Sequence, residues 1–475
     1  MRRIISDSLF TTFTFFLQRT LGFIRELIVA GLLGPYYMGL RNTIIMLFNY
    51  SPYIYLGMDN EVFRRVAHLY EKNPKEANTT FSTILYWSFF SSILLALAIA
   101  IGSFLSPYSE EFKAGLYILS LLVILMIVGI IVNIYLSALG RFKFIATVET
   151  INVVANTIFV ILLTYYFGFI GAIIGLFLSI FIRFILYWHE MLKYKIPLIF
   201  EWKRFVDIFK NGLKLFSTSI ASTIYTQIDS LVTVLMLGPA ALGIYGIATT
   251  LNSLIYGTYG STVIPVGQRM YKFANEEITL KRYLDMLSGI SAYLMVFPII
   301  AIVLITPFII DTFIPKFHDS ILIVGVLAVA SFFNVALMPL SNYLISKRKE
   351  ALITTSTLVA ALLNLILDVY LVQQGYGVMG IAYATSFSYF INFVLMMYLS
   401  RALELRKVLE DLIPFIYLTL VIWAWTTDWT IILISLLTLI YIPILLYVFK
   451  ERGILDYILD ILNEFKISAF SKGTK

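Results

Sequence analysis

Arg19, Arg25 and Glu26 stand in one apolar stretch, and they are the residues best placed in this sequence to do chemistry. At about 100° per residue, Glu26 returns to within about 20° of Arg19, and Gly22 and Arg25 complete an arc of about 120°. A charge at a bilayer centre costs about 2.5 to 3.5 kcal/mol on insertion scales, so this face belongs against a partner or a wet cavity. A rise of about 1.5 Å per residue puts Arg19 near mid-membrane and Arg25 in the outer half. Other chemistries lack their residues. There is no cysteine, and His68, His189 and His318 are too scattered for a metal cluster. No GxxxxGK[ST] phosphate loop, nucleophile elbow or kinase signature occurs. The expectation is a protein that is not an enzyme and uses no metal and no cofactor.

The elements that position these charges are membrane helices. Of 475 residues 60% are hydrophobic and 13% charged, and a soluble fold has nowhere to put that much apolar surface. About 20 residues cross a hydrocarbon core. That length predicts fourteen segments, at 9–33, 38–63, 79–105, 114–138, 144–167, 169–192, 212–237, 241–268, 283–310, 320–345, 351–373, 377–400, 412–427 and 430–449. Pro414, Asp428 and Pro443 interrupt the last two, so twelve helices form the firmer core. No small-residue cleavage site follows the first segment, which is expected to remain in the mature protein.

Charge gives the orientation. With these segments, 28 of the 35 Lys and Arg fall on one side, with Lys214 just inside the segment that follows, and only Lys113 and Lys316 fall on the other. The positive-inside rule then puts both termini in the cytoplasm. The net charge of +7 is read as membrane orientation and attraction to anionic lipids, with no nucleic acid as partner.

The chain repeats itself. Leu33-Gly34-Pro35-Tyr36-Tyr37-Met38-Gly39 recurs 204 residues later as Leu237-Gly238-Pro239-Ala240-Ala241-Leu242-Gly243, and Arg65 meets Arg269 at the same offset. Gly168-Phe169-Ile170-Gly171 recurs 209 residues on as Gly377-Val378-Met379-Gly380, with Ser179 meeting Ser388. An even number of crossings per copy gives both copies one topology, related by an axis along the membrane normal. The predicted fold class is an all-α polytopic membrane protein: two six-helix bundles related by that pseudo-two-fold, plus two C-terminal helices. The domains are an N-terminal bundle at 1–198, an interfacial cytoplasmic linker helix at 199–211, a second bundle at 212–402, helices 13 and 14 at 403–450, and an amphipathic cytoplasmic tail at 451–475. The linker carries Trp202, Phe205, Val206 and Phe209 on one face, and the tail Ile454, Ile458, Ile461, Leu462 and Phe465.

The equivalent of Arg25 in the second copy is Asp229, on a segment that Tyr225 and Gln227 keep polar. Opposite charges at equivalent positions could pair when the halves close and part when they open; a static ion pair would satisfy the same charges. Arg41 and Asp368 lie near the outer ends of their segments, where snorkelling is the plain alternative to function. Arg183 and Glu149 lie nearer the cytoplasmic face, and Asp59 and Glu61 are expected partners of Arg64 and Arg65.

The duplication, the paired Leu-Gly-Pro-x-x-x-Gly corners and the stretch from Leu56-Gly57-Met58-Asp59-Asn60 to Arg65 resemble polysaccharide flippases of the Wzx type, in the multidrug/oligosaccharidyl-lipid/polysaccharide (MOP) superfamily. Arg19-Thr20-Leu21-Gly22-Phe23-Ile24-Arg25-Glu26 is similar to the first-helix signature of the MurJ-type lipid II flippases. The likeness covers about residues 8 to 400. It implies a V-shaped pair of bundles that alternates access to a cationic cavity, in the cytoplasmic membrane, and turns over an undecaprenyl-diphosphate-linked oligosaccharide, since guanidinium groups bind diphosphate bidentately. Arg19, Arg25, Arg41, Gln18, Tyr225 and Gln227 are then the substrate-binding candidates. Glu26, Asp229 and Asp368 are the gating or ion-coupling candidates, with coupling to H⁺, Na⁺ or membrane potential left open. A polysaccharide polymerase and glycosyltransferases are the implied partners. Lipid II is the alternative cargo. A cation-coupled multidrug antiporter is the alternative of another class, and it would want acidic cavity residues where this first segment is rich in arginine.

Overall fold

The computed structural model describes residues 2–105, 108–402, 405–425 and 430–454. Among them there is no strand. The helices are α1 (Arg2–Tyr50), α2 (Met58–Leu69), α3 (Pro74–Leu105), α4 (Glu110–Ala138), α5 (Phe142–Leu192), α6 (Trp202–Val232), α7 (Pro239–Met270), α8 (Glu277–Leu294), α9 (Val296–Phe313), α10 (Ser320–Ser346), α11 (Glu350–Gln373), α12 (Gly377–Ser400), α13 (Leu405–Asp411), α14 (Ile413–Trp425) and α15 (Thr430–Glu451). Nine helical stretches among the described residues are long and apolar enough to cross a membrane.

Two helices are too long for one crossing of about 20 residues. α1 has 49 residues and α5 has 51, and each turns back at a glycine of the sequence repeat. Gly34 sits at φ 70° and Gly168 at φ 57°, and their equivalents Gly238 and Gly377 sit at 87° and 56°. Only glycine takes such angles without a Cβ penalty, and Pro35 and Pro239, which have no N–H to lose, open the helices that follow. The fold-back brings distant residues together. In a straight helix Glu26 and Arg41 would stand about 22 Å apart; here Arg41 Nη1 lies 2.6 Å from a Glu26 oxygen.

Local chemistry breaks two other predicted segments. The second ends its first part in a 3-10 turn, Ser51–Tyr55, with Pro52 at its start, and α2 begins only after Gly57 at φ 81°. The ninth is α8 and α9 in succession, divided just before Pro298, whose missing N–H and bulky ring disfavour a continuous helix. Pro414 falls in the first turn of α14, where no intrahelical donor is needed, and Pro443 is held within α15. Asp428 lies outside the described residues.

The chain divides into two compact units, one of residues 1–250 and 310–320, the other of 251–309 and 321–475. The division falls inside α7. In the first unit, α6 is one unbroken helix from Trp202 to Val232, so the expected interfacial helix is continuous with the crossing after it. Trp202 stays exposed, but Phe205 and Ile208 enter the core, with the Phe205 ring tilted against Trp87 at 4.8 Å. Burial against the bundle removes more apolar surface from water than an interfacial position would. Gly57 and Gly212 let the backbones of α2 and α6 touch: a Cβ on Gly57 would lie 2.2 Å from the Gly212 carbonyl oxygen. The buried Tyr55 hydroxyl donates to the Ile127 carbonyl, and Phe81 packs 4.2 Å from Tyr135.

In the second unit the C-terminal helices dock on α8. Tyr441 stacks between Tyr417 and Tyr293, at 4.1 and 6.0 Å. Beside the stack, buried Arg452 reaches Asp411 at 2.9 Å, Glu410 at 3.3 Å and Asp285 at 3.6 Å, while Lys407 takes Asp285 at 2.7 Å. The amphipathic tail beyond Ile454, with Ile458, Ile461, Leu462 and Phe465, lies outside the described residues.

Candidate functional site

The corner at Gly34 sets Glu26 eight residues before it and Arg41 seven after it, so the two arms of α1 present them at matching depth. Glu26 is clamped. It accepts four hydrogen bonds, from Arg25 Nε (3.2 Å) and Nη2 (2.6 Å) and from Arg41 Nη1 (2.6 Å) and Nη2 (3.0 Å). The other Arg25 terminal nitrogen donates to the Asn156 side-chain oxygen. Asn156 in turn donates to Ser179 Oγ at 2.7 Å, a contact made because Gly168 folds α5 midway between them.

Two guanidiniums and one carboxylate leave an excess of one positive charge. Arg41 is buried, with 4% of its side chain exposed, and Arg25 and Glu26 show 20% and 14%. Glu26 keeps two adjacent cations from repelling each other in a medium of low dielectric, where an unpaired charge would be costly. It also holds both planar forks in one orientation. The excess charge suits an anion that accepts bidentate hydrogen bonds.

The expected residues are only partly assembled here. Arg25, Glu26 and Arg41 meet. Arg41 does not snorkel: it turns inward to Glu26, because a carboxylate across the corner is a nearer partner than the headgroups. Arg19 is exposed and Gln18 half-buried, six or more residues from the cluster along α1. Tyr225 is buried, Gln227 half-buried and Asp229 buried. Among the described residues no ion pair joins Arg25 to Asp229. Asp229 instead accepts the Tyr245 hydroxyl at 2.7 Å, across the corner at Gly238. The positions correspond to the first copy, since Tyr245 stands 204 residues after Arg41 and Asp229 stands 204 after Arg25, but there the two residues meet only through Glu26. In the second unit Asp368 is fully buried rather than snorkelling, and Asn364 donates to it at 3.3 Å, one helical turn away. Nearer the other end of α5, Arg183 and Glu149 face each other at 3.7 Å. Glu61 takes both Arg64 (2.8 Å) and Arg65 (2.6 Å) as expected.

Asn156 and Ser179 were missing from the sequence-based candidates. The available signal was their placement twelve residues before and eleven after Gly168, which a fold-back glycine makes into neighbours. Among the described residues, no group of three or more His, Cys, Asp or Glu is arranged to hold a metal ion.

The two repeated corners interlock within the first unit. A Cβ on Gly39 would lie 1.6 Å from the Pro239 carbonyl oxygen, and one on Gly243 would lie 2.0 Å from that of Pro35. Such reciprocity is what a two-fold axis between the copies of the motif produces.

Known proteins share this architecture. Solved structures similar to the chain include the lipid II flippase MurJ in its inward closed conformation, with TM-score 0.77, 20% identity, and 93% of this chain and 99% of that one covered. An inward-facing multidrug resistance MATE family transporter of the MOP superfamily follows at TM-score 0.62 and 15% identity, covering 84% and 95%. The eukaryotic MATE transporter AtDTX14 gives 0.60 and 11%, covering 86% and 98%. At these identities the likeness shows the fold alone. No curated protein matches the sequence. Residues 28–316, more than half of the chain and including Arg41, Asn156, Ser179 and Asp229, match the family described as polysaccharide biosynthesis protein, and the chain belongs to that family.

Proposed function

We propose that this chain is a flippase that moves an undecaprenyl-diphosphate-linked oligosaccharide from the inner to the outer leaflet of the cytoplasmic membrane by alternating access, with both termini in the cytoplasm. The observation that carries the reading is the clamp of Arg25 and Arg41 on Glu26, an oriented site with one surplus positive charge inside a membrane bundle of a polysaccharide-biosynthesis family. A diphosphate fits it because each guanidinium can turn a fork to phosphate oxygens, while the polyprenyl tail remains in the lipid. The surplus charge disfavours cationic drugs, which speaks against the multidrug antiporter. Coupling to H⁺, Na⁺ or membrane potential would run through Glu26, Asp229 or Asp368, and the glycan is received from glycosyltransferases and handed to a polymerase.

Lipid II is the second reading. The likeness to the MurJ fold and the Arg19 to Glu26 signature favour it, and it has the same polyprenyl diphosphate. Proteoliposomes loaded on one leaflet with either lipid separate the two: surface exposure of the oligosaccharide lipid at a rate well above that of lipid II supports the first reading. Preference for lipid II installs the second, and movement of neither ends both.

A further inference from the structure

A second polar site lies between α4 and the two arms of α5. It is a cavity of about 230 Å³ whose lining includes Gly129, Asn133, Glu149, Arg183 and Tyr187. These groups are already oriented: the buried Tyr187 hydroxyl donates to Glu149 Oε1 at 2.7 Å and accepts from Asn133 at 2.7 Å. Arg183 holds Glu149 only at 3.7 Å, beyond hydrogen-bond distance, so its donors retain capacity for a third party.

We infer that this cavity is a glycosyl subsite, which receives a neutral sugar unit of the cargo whose diphosphate the Arg25 cluster binds; the inference rests on the flippase reading. Charge decides the class of ligand. One arginine and one glutamate cancel, so an anion meets Glu149 and a cation meets Arg183, while a neutral polyol satisfies both. A carboxylate accepts from vicinal hydroxyls, and guanidinium and amide groups donate to hydroxyl and ring oxygens. The volume is several times the roughly 30 Å³ share of one water, and it is below the roughly 300 to 1,000 Å³ of sites for drug-sized ligands. A single sugar ring lies between those limits.

Position links the two sites. Glu149 precedes Asn156 by seven residues and Arg183 follows Ser179 by four, so each pair shares a helix face. Asn156 and Ser179 are bonded to each other, and Asn156 accepts from Arg25. The cavity therefore lies one to two helical turns, or about 6 to 10 Å, along the α5 seam from the Asn156–Ser179 pair that adjoins the cation cluster. That is a reach suited to sugars near the diphosphate.

The test measures binding to the full chain in nanodiscs. The probes are undecaprenyl diphosphate and the same lipid bearing one glucosyl, galactosyl or N-acetylglucosaminyl unit. At least one glycosylated probe is expected to bind about tenfold more tightly than the bare lipid, the scale of one hydrogen bond to a charged group. Glu149→Gln and Gly129→Leu are both expected to abolish that gain. Gly129→Leu should leave the bare lipid's Kd unchanged, and it guards against misfolding, because leucine favours a helix interior and a Cβ there finds only Phe184 at 3.8 Å. No gain from any sugar, with the bare lipid bound, overturns the subsite and spares the flippase. A gain that survives both variants also overturns it. Failure of the wild type to bind any of the probes refutes the flippase reading and the subsite together.

Discussion

Alanine at Gly39 should push the protein out of the state described here. Its methyl group would lie 1.6 Å from the Pro239 oxygen, 2.4 Å from the carbonyl carbon and 3.0 Å from Cα, whereas ordinary contact begins at 3.4 Å. The obstacle is backbone, so no side chain can swing aside, and the corner must separate by nearly 2 Å. Overpacking of this kind costs about 1 to 3 kcal/mol after relaxation. At 2 kcal/mol the ratio of interlocked to separated corners falls by about 30-fold, each 1.4 kcal/mol being a factor of ten. Alanine is also the better helix former by about 1 kcal/mol, so lost helix stability does not explain the effect. Cysteines at the exposed positions Tyr36 and Ala240, in this chain without native cysteine, report it through a short bismaleimide. Crosslinking should be efficient in the parent and fall steeply in Gly39→Ala and in Gly243→Ala, with turnover slowed in both. Unchanged crosslinking in both variants, with the protein folded, would refute the view that the interlocked corners define a closed state.

Arg25→Ala should lower flux at least tenfold while inserted protein is largely retained, and Arg25→Lys should restore only part of it, since an ammonium keeps the charge and loses the fork; equal losses of protein and flux would mark the residue as structural. His318 is held above the ordinary histidine range by the hydrogen bond and charge of Asp311, 2.7 Å away. A raised folded value means the contribution is complete below about pH 6.5 and disappears as pH climbs through the higher value of the folded state. The melting temperature of Asp311→Asn should therefore trail the parent's at pH 6 and match it at pH 9, and a deficit independent of pH would count against the pair. Lys203→Cys in intact cells should resist a membrane-impermeant maleimide if 193–214 is cytoplasmic, and strong labelling would invert the orientation.

Sequence alone determined the class of fold and the places where the chain turns. Apolar length specifies crossing helices because lipid leaves backbone groups no other partners, and Gly34, Gly168, Gly238 and Gly377 mark turns because no other residue enters the left-handed region so cheaply. It also singled out Arg25, Glu26 and Arg41, since charge in an apolar stretch is expensive wherever the helix goes. Their partners were another matter. An offset of 204 residues suggested Arg25 with Asp229, but pairing across a corner depends on how tightly each helix folds back. That geometry joins Glu26 to Arg41 and Asp229 to Tyr245. The linker showed the same limit: its i, i+3, i+4, i+7 apolar face fits a membrane surface and a helix bundle equally well. Only the approach of Gly212 to Gly57, with Phe205 packed beside Trp87, decided for the bundle. Periodicity states which face is buried, and tertiary packing states against what.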